Sequence, residues 1–220
     1  MKLVVVSAGL SVPSSTRLLA DRLAAATADR APAEVQVVEL RDLAVEIAHT
    51  FTNGFPGRQL SAAFDAVAAA DGLIVVTPVF SASYSGLFKS FFDALSVTEE
   101  DALAGKPVLI GATGGTARHS LVLEHALRPL FAYLKAVVVP TGVYAASEDW
   151  GAEGLDGRIE RAVGQLAALM TGLSTAGRPA GEAAQGAVTA AVAAAAGGPV
   201  TEADGIVPFA ERLAALRPAG

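Results

Sequence analysis

The chain has no cysteine among its 220 residues. That excludes a disulfide framework, a thiolate metal site and a redox-active thiol, so any redox chemistry must come from a bound cofactor. Positive charge is also scarce. Sixteen Lys and Arg face 22 Asp and Glu, for a net charge of −6, which disfavours nucleic acid as a partner. The three histidines are His49, His119 and His125. His119 and His125 are six residues apart, about 240° around a helix, and so cannot share a metal. No metal is expected. Two nucleotide fingerprints are missing: G-x-x-x-x-G-K-[ST] occurs nowhere, and no G-x-G-x-x-G follows the first apolar run. Long hydrophobic runs are missing too. Lys2 precedes Leu3-Val4-Val5-Val6, but the run breaks at Ser7 and reads as a strand rather than a signal peptide. The Ala-rich stretch 183–198 is too short and too weakly hydrophobic to span a membrane. The expected location is cytoplasmic.

What is present is an alternation of apolar runs with amphipathic segments. Apolar residues make up 52% of the chain, enough for one large α/β domain with a substantial core. Strands are expected near 2–7, 34–40, 72–77, 106–112 and 136–143, and helices near 15–28, 59–70, 84–96, 118–135 and 155–173. Five strands alternating with five helices imply a parallel sheet covered on both faces. The domain is expected over 1–175. Residues 176–207, rich in Ala, Gly and Pro, read as a linker. Residues 208–220 read as a docking helix, with Pro208 in its first turn and Phe209, Leu213 and Leu216 on one face.

Three strand-to-helix segments carry the chemistry, and such segments are where open α/β sheets bind ligands. The richest is Thr77-Pro-Val-Phe-Ser-Ala-Ser-Tyr-Ser-Gly-Leu-Phe-Lys89. Pro78 stiffens the strand exit, Phe80 and Tyr84 offer flat faces, and Gly86 permits close backbone approach. Val79 and Ser81 complete a rim suited to a flat heteroaromatic ring. The first loop, Ser7 to Arg17, holds four serines and a threonine in ten residues. Ser14, Ser15 and Thr16 stand where a helix begins, and its free N–H groups and dipole favour an anion. One N-cap needs only one hydroxyl, so the surplus suits a terminal phosphate monoester. The third loop contains Thr113-Gly114-Gly115-Thr116, whose glycines bring backbone N–H groups close to a ligand.

Together these segments resemble the NAD(P)H-dependent FMN reductases of the flavodoxin-like superfamily, in particular the reductase partners of two-component flavin monooxygenases of the alkanesulfonate type. The resemblance rests on Thr77–Lys89, on Ala112-Thr-Gly-Gly-Thr-Ala-Arg-His119, on Glu124-His-Ala-Leu-Arg-Pro129 and on Gly142-Val-Tyr-Ala145. In the first loop the family usually shows Gly-Ser-x-Arg, where this chain has Ser7-Ala8-Gly9-Leu10. The resemblance implies a flavodoxin-like three-layer sandwich with sheet order 2-1-3-4-5, which places the first and third loops over one crevice. It implies FMN and NAD(P)H as ligands, a possible flavin-dependent monooxygenase as partner, and a homodimer or homotetramer. Ser7, Ser14, Ser15, Thr16 and Arg17 would meet the phosphate. Pro78, Val79, Phe80, Ser81 and Tyr84 would border the ring, with Thr113, Gly114, Gly115 and Thr116 along its other edge. No side chain is expected to act as a catalytic acid or base. At His125 relatives often carry tyrosine inside a helix with one inserted residue, so a π-bulge is expected there. Two other readings stay open: a flavodoxin-type electron carrier, and a quinone or azo reductase that holds FMN tightly.

Overall fold

Apolar runs with no polar alternation need cover on both faces, and the chain supplies it. A computed structural model describes residues 1–152 and 154–175. β1 (Lys2–Ser7) lies between β2 (Glu34–Glu39) and β3 (Gly72–Phe80), parallel to both. β3 continues to β5 (Pro107–Gly114), also parallel. A short β4 (Ser83–Tyr84) folds back antiparallel on the end of β3. The fifth position comes in two pieces, β6 (Val137–Val138) and β7 (Val143–Ala146), both parallel to β5. Read by position, the order is the expected 2-1-3-4-5.

The split of the last strand departs from the continuous 136–143 strand expected. Pro140 has no N–H for the ladder. The carbonyls of Val139 and Pro140 instead accept from the Arg128 guanidinium, at 3.1 and 3.0 Å.

Side chains of the sheet alternate between two buried clusters. Val4, Val6, Leu73, Val75, Val108 and Ile110 face one side, with α2 (Ala44–Asn53), α3 (Arg58–Ala68), α4 (Gly86–Thr98) and α5 (Arg128–Tyr133). Leu3, Val5, Ile74, Val76 and Leu109 face the other, with α1 (Ser15–Ala28) and α6 (Gly154–Thr175). The result is a three-layer sandwich. Phe88, Phe91, Phe92 and Phe131 form a ring cluster at centroid separations of 4.9 to 6.1 Å. All four are buried, and each contributes roughly 1.5–3 kcal/mol by leaving water. Phe88, Phe91, Phe92, Ala94 and Leu95 of α4 are thus buried within the subunit.

Other boundaries differ from the sequence reading. α2 falls outside the five expected helices. The helix expected at 84–96 begins at Gly86, because Tyr84 is taken into β4. The helix expected at 118–135 is three pieces: a 3₁₀ turn Ala117–His119, a π-helix Leu123–Leu127, and α5. Within this stretch the N–H of Arg128 donates to the carbonyl of Leu123, five residues back, and His125 lies in the widened turn. Pro129 then falls at the start of α5, where its missing N–H is tolerated. The linker 176–207 and the docking helix 208–220 lie outside the described residues.

Candidate functional site

The parallel register sets three strand ends side by side. Ser7 pairs with Val76, and Pro78 with Thr113. The N–H of Ala8 donates to the carbonyl of Val76 at 2.9 Å, so the first loop leaves the sheet against β3. The first, second and third loops thus open on one edge of the sheet, at the switch point between β1 and β3.

The first loop is built around α1. Ser14 is the N-cap, in extended conformation, and its Oγ accepts from the N–H of Arg17 at 3.2 Å. Gly9 is required here, because a Cβ would collide with Ser14 Oγ. With Ser14 occupied as the cap, Ser15 is exposed and its hydroxyl makes no hydrogen bond among the described residues. Its hydroxyl stands in the first turn, where the N–H groups of Ser15 and Thr16 have no partner within the helix. Ser7 is fully buried at the end of β1, and its Oγ has no hydrogen-bond partner. An orphaned buried hydroxyl is costly unless something fills the place beside it.

Thr16 behaves differently. It is buried, and its Oγ1 lies 2.8 Å from Oγ1 of Thr113. This pair joins the first turn of α1 to the end of β5. Arg17 is also engaged: Nε donates to Asp21 Oδ1 at 2.7 Å and Nη1 pairs with Glu39. The Asp21 hydrogen bond, with added charge from Glu39, raises the guanidinium pKa. Arg41, outside the expected set, donates to the carbonyl of Ser11 at 3.3 Å and stands 3.5 Å from Glu39. Nothing in the spacing of Glu39 and Arg41 marks them as neighbours of the first loop; only the β1–β2 register does.

The second loop is a hairpin rather than a plain connector. Pro78, Val79 and Phe80 belong to β3, and Ser81 and Ala82 form a two-residue turn before β4. Both turn residues have positive φ, 49° and 65°. The side chain of Phe80 is half exposed. The Tyr84 ring leans on Phe88 at 6.0 Å, which fixes its plane. Beneath the turn, buried Thr77 and Ser85 brace the hairpin. Thr77 Oγ1 accepts from the N–H of Ser85 at 3.0 Å, and Ser85 Oγ caps α4 by accepting from Phe88 N–H at 3.3 Å. The N-cap serine before the amphipathic run was the available signal for Ser85.

The third loop turns out of β5 after Gly114. A Cβ on Gly114 would strike the Tyr144 hydroxyl, whereas one on Gly115 would meet nothing within 4 Å. Thr116 is exposed and accepts from the Tyr144 hydroxyl through its carbonyl at 2.7 Å. His119 is exposed in the turn that follows. Trp150 packs on the α1–α6 side of the core, as a loop anchor.

Hydroxyls of the first loop, the aromatic residues of the second and the glycines of the third are therefore brought to one edge of the sheet. The donors there are backbone N–H groups, neutral hydroxyls and one helix start. Among the described residues no group of three His, Asp or Glu could hold a metal, and no helix is long and apolar enough to cross a membrane.

Known proteins are similar to this chain in sequence and in fold. The sequence profile of the family described as NADPH-dependent FMN reductase matches residues 1–151. An FMN reductase (NADPH) of Pseudomonas aeruginosa is 40% identical over 178 residues, 79% of this chain and 94% of that protein. The NADH-dependent FMN reductase SfnF of Pseudomonas fluorescens is 38% identical over 174 residues, 77% of this chain and 91% of the relative. The crystal structure of an oxidoreductase from Corynebacterium diphtheriae superposes with a TM-score of 0.73 at 49% identity, covering 77% of this chain and 96% of that one.

Proposed function

This chain belongs to the NADPH-dependent FMN reductase family, and we propose a working assignment of its site on that premise. The activity is NAD(P)H-dependent reduction of FMN. The observation that carries the assignment is the meeting of three differently built loops at one sheet edge. Each suits a different part of the flavin.

The residues fit FMN. The unpartnered Ser7 Oγ and the open space over Gly115 are places that a ligand would complete. Ser15 and the first N–H groups of α1 hold the phosphate, with Ser14 preserving the helix start and Thr16 and Arg17 fixing its position. The rim of Pro78, Val79, Phe80, Ser81 and Tyr84 sets one side of the ring, and Thr113 to Thr116 the other. The chemistry that flavin supplies when bound is acceptance of hydride from a nicotinamide. The chain contributes orientation, exclusion of water and hydrogen bonds to the ring edge, and no side-chain acid or base is required.

On the sequence resemblance described above, the reduced flavin is destined for a flavin-dependent monooxygenase in the cytoplasm. The working unit is a homodimer or homotetramer. A groove of about 440 Å³ between β4, α4 and α5 is lined by Tyr84, His125 and Tyr133, and Leu121 and Tyr133 are exposed beside it. Light scattering that returned the 22.2 kDa monomer mass at micromolar concentration would remove the assembly.

The activity is tested by following aerobic NADPH and NADH oxidation with and without added FMN, and with a quinone in its place. FMN-dependent turnover is expected with at least one nicotinamide. Oxidation that ignores FMN but follows the quinone, or none with any acceptor, would refute the reading.

A further inference from the structure

We infer that Tyr144 is a positioning residue that sets the third loop for the flavin ring; this rests on the flavin reading above. β5 and β7 run in register, with Ala112 opposite Tyr144 and Gly114 opposite Ala146. Tyr144, Ala112 and Ala146 belong to the cluster on the α4–α5 side. From that face the phenol reaches along β5, past Gly114, and donates to the carbonyl of Thr116 at 2.7 Å. The reach depends on Gly114, since a Cβ there would occupy the place of the hydroxyl. On the opposite face Thr113 is held by Thr16. The end of β5 is thus gripped from both sides of the sheet, and Gly115 stands between the two grips with its outer side open.

Tyr144 is buried. Burial, followed by the charges of Asp149 and Glu148, raises its pKa above the ordinary phenol value. The hydroxyl therefore remains a donor throughout the neutral range. A phenylalanine would fill the same volume and pack equally well, so the hydroxyl serves the loop rather than the core. Turning the Thr116 carbonyl inward towards Tyr144 fixes which way the Thr116–Ala117 peptide faces, and so pins the C-terminal end of the Gly114-Gly115-Thr116 turn.

The experiment uses the full chain with Tyr144→Phe. In flavin-free protein, trypsin cleavage after Arg118, exposed two residues beyond Thr116, should be about fivefold faster, the loss of one hydrogen bond. FMN and riboflavin should both bind about fivefold more weakly, because the change lies at the ring and not at the phosphate. KM for FMN should rise while kcat at saturation stays near wild type and the thermal midpoint falls by no more than about 2–4 °C, which a general loss of structure would not give. Unchanged cleavage would overturn the positioning role. Faster cleavage with unchanged affinity for both flavins would overturn its link to the ring. A wild-type protein that binds no flavin would refute the proposed function, while the cleavage comparison would still decide whether Tyr144 holds the loop.

Discussion

Thr16→Val tests how the site is tied together. Thr16 and Thr113 are each 3% exposed, and their hydroxyls meet at 2.8 Å. Valine has nearly the shape of threonine and replaces the hydroxyl with a methyl. It leaves the Thr113 hydroxyl buried without its partner, a loss of about 1–3 kcal/mol. Thr113→Val should cost about as much, for the mirror reason. The double variant removes both hydroxyls together, so it should lie close to wild type. The cycle should show the double variant about 2–6 kcal/mol more stable than the sum of the singles predicts, because both single losses vanish in it. Urea unfolding of flavin-free protein measures this, since bound ligand would mask the difference. For a domain of this size each kcal/mol moves the thermal midpoint by about 2–4 °C. Additive losses in the double variant, or single losses below about 0.5 kcal/mol, would refute a coupled buried pair.

Three further outcomes follow from the same geometry. Ser15→Ala should raise the FMN dissociation constant about tenfold or more by removing a hydrogen bond to a charged phosphate, and should leave riboflavin binding unchanged; equal weakening of both would move the phosphate elsewhere. Gly115→Val should abolish FMN binding measured by fluorescence while the thermal midpoint holds, because a Cβ there meets no protein atom within 4 Å; normal binding would remove the third loop from the site. Asp149 titrates below the ordinary carboxylate range. Burial alone would raise its pKa, but the Arg158 guanidinium at 2.6 Å and the Ala146 N–H at 2.8 Å outweigh it. Its contribution is present above the unfolded value of about 3.9 and is lost as pH falls through the lower folded value. The stability gap between wild type and Asp149→Asn should therefore close in acid, and a gap independent of pH would refute the assignment.

Much of this was legible in the sequence because the signals were periodic or chemically dense. Leu3–Val6, Leu73–Val76 and Val108–Ile110 read as buried strands and are so. The serine-rich first loop and the Gly114-Gly115 turn reach the same sheet edge because the strand order brings them there. The elements missed lack such signals. In α2 only Ile47 is buried, and Val45 and Phe51 face outward, so no apolar stripe announced the helix. Tyr84 looked helical because it precedes an amphipathic run, but pairing with Val79 claims it first. The division of labour among the hydroxyls was equally hidden. Nothing in the order Ser14-Ser15-Thr16 says that the first caps, the second stands free and the third turns inward, because those roles depend on Arg17, on solvent and on Thr113.

The turn at Ser81-Ala82 has a consequence for binding entropy. Two consecutive non-glycine residues with positive φ each carry about 1–2 kcal/mol of steric penalty, held in place by the β3–β4 pairing and by the Thr77–Ser85 brace. Glycine would relieve that penalty, but it would also widen the conformations open to the hairpin. The side chains keep it narrow. A rim whose backbone is already confined loses little freedom when a flat ring settles against it, so more of each contact survives as affinity.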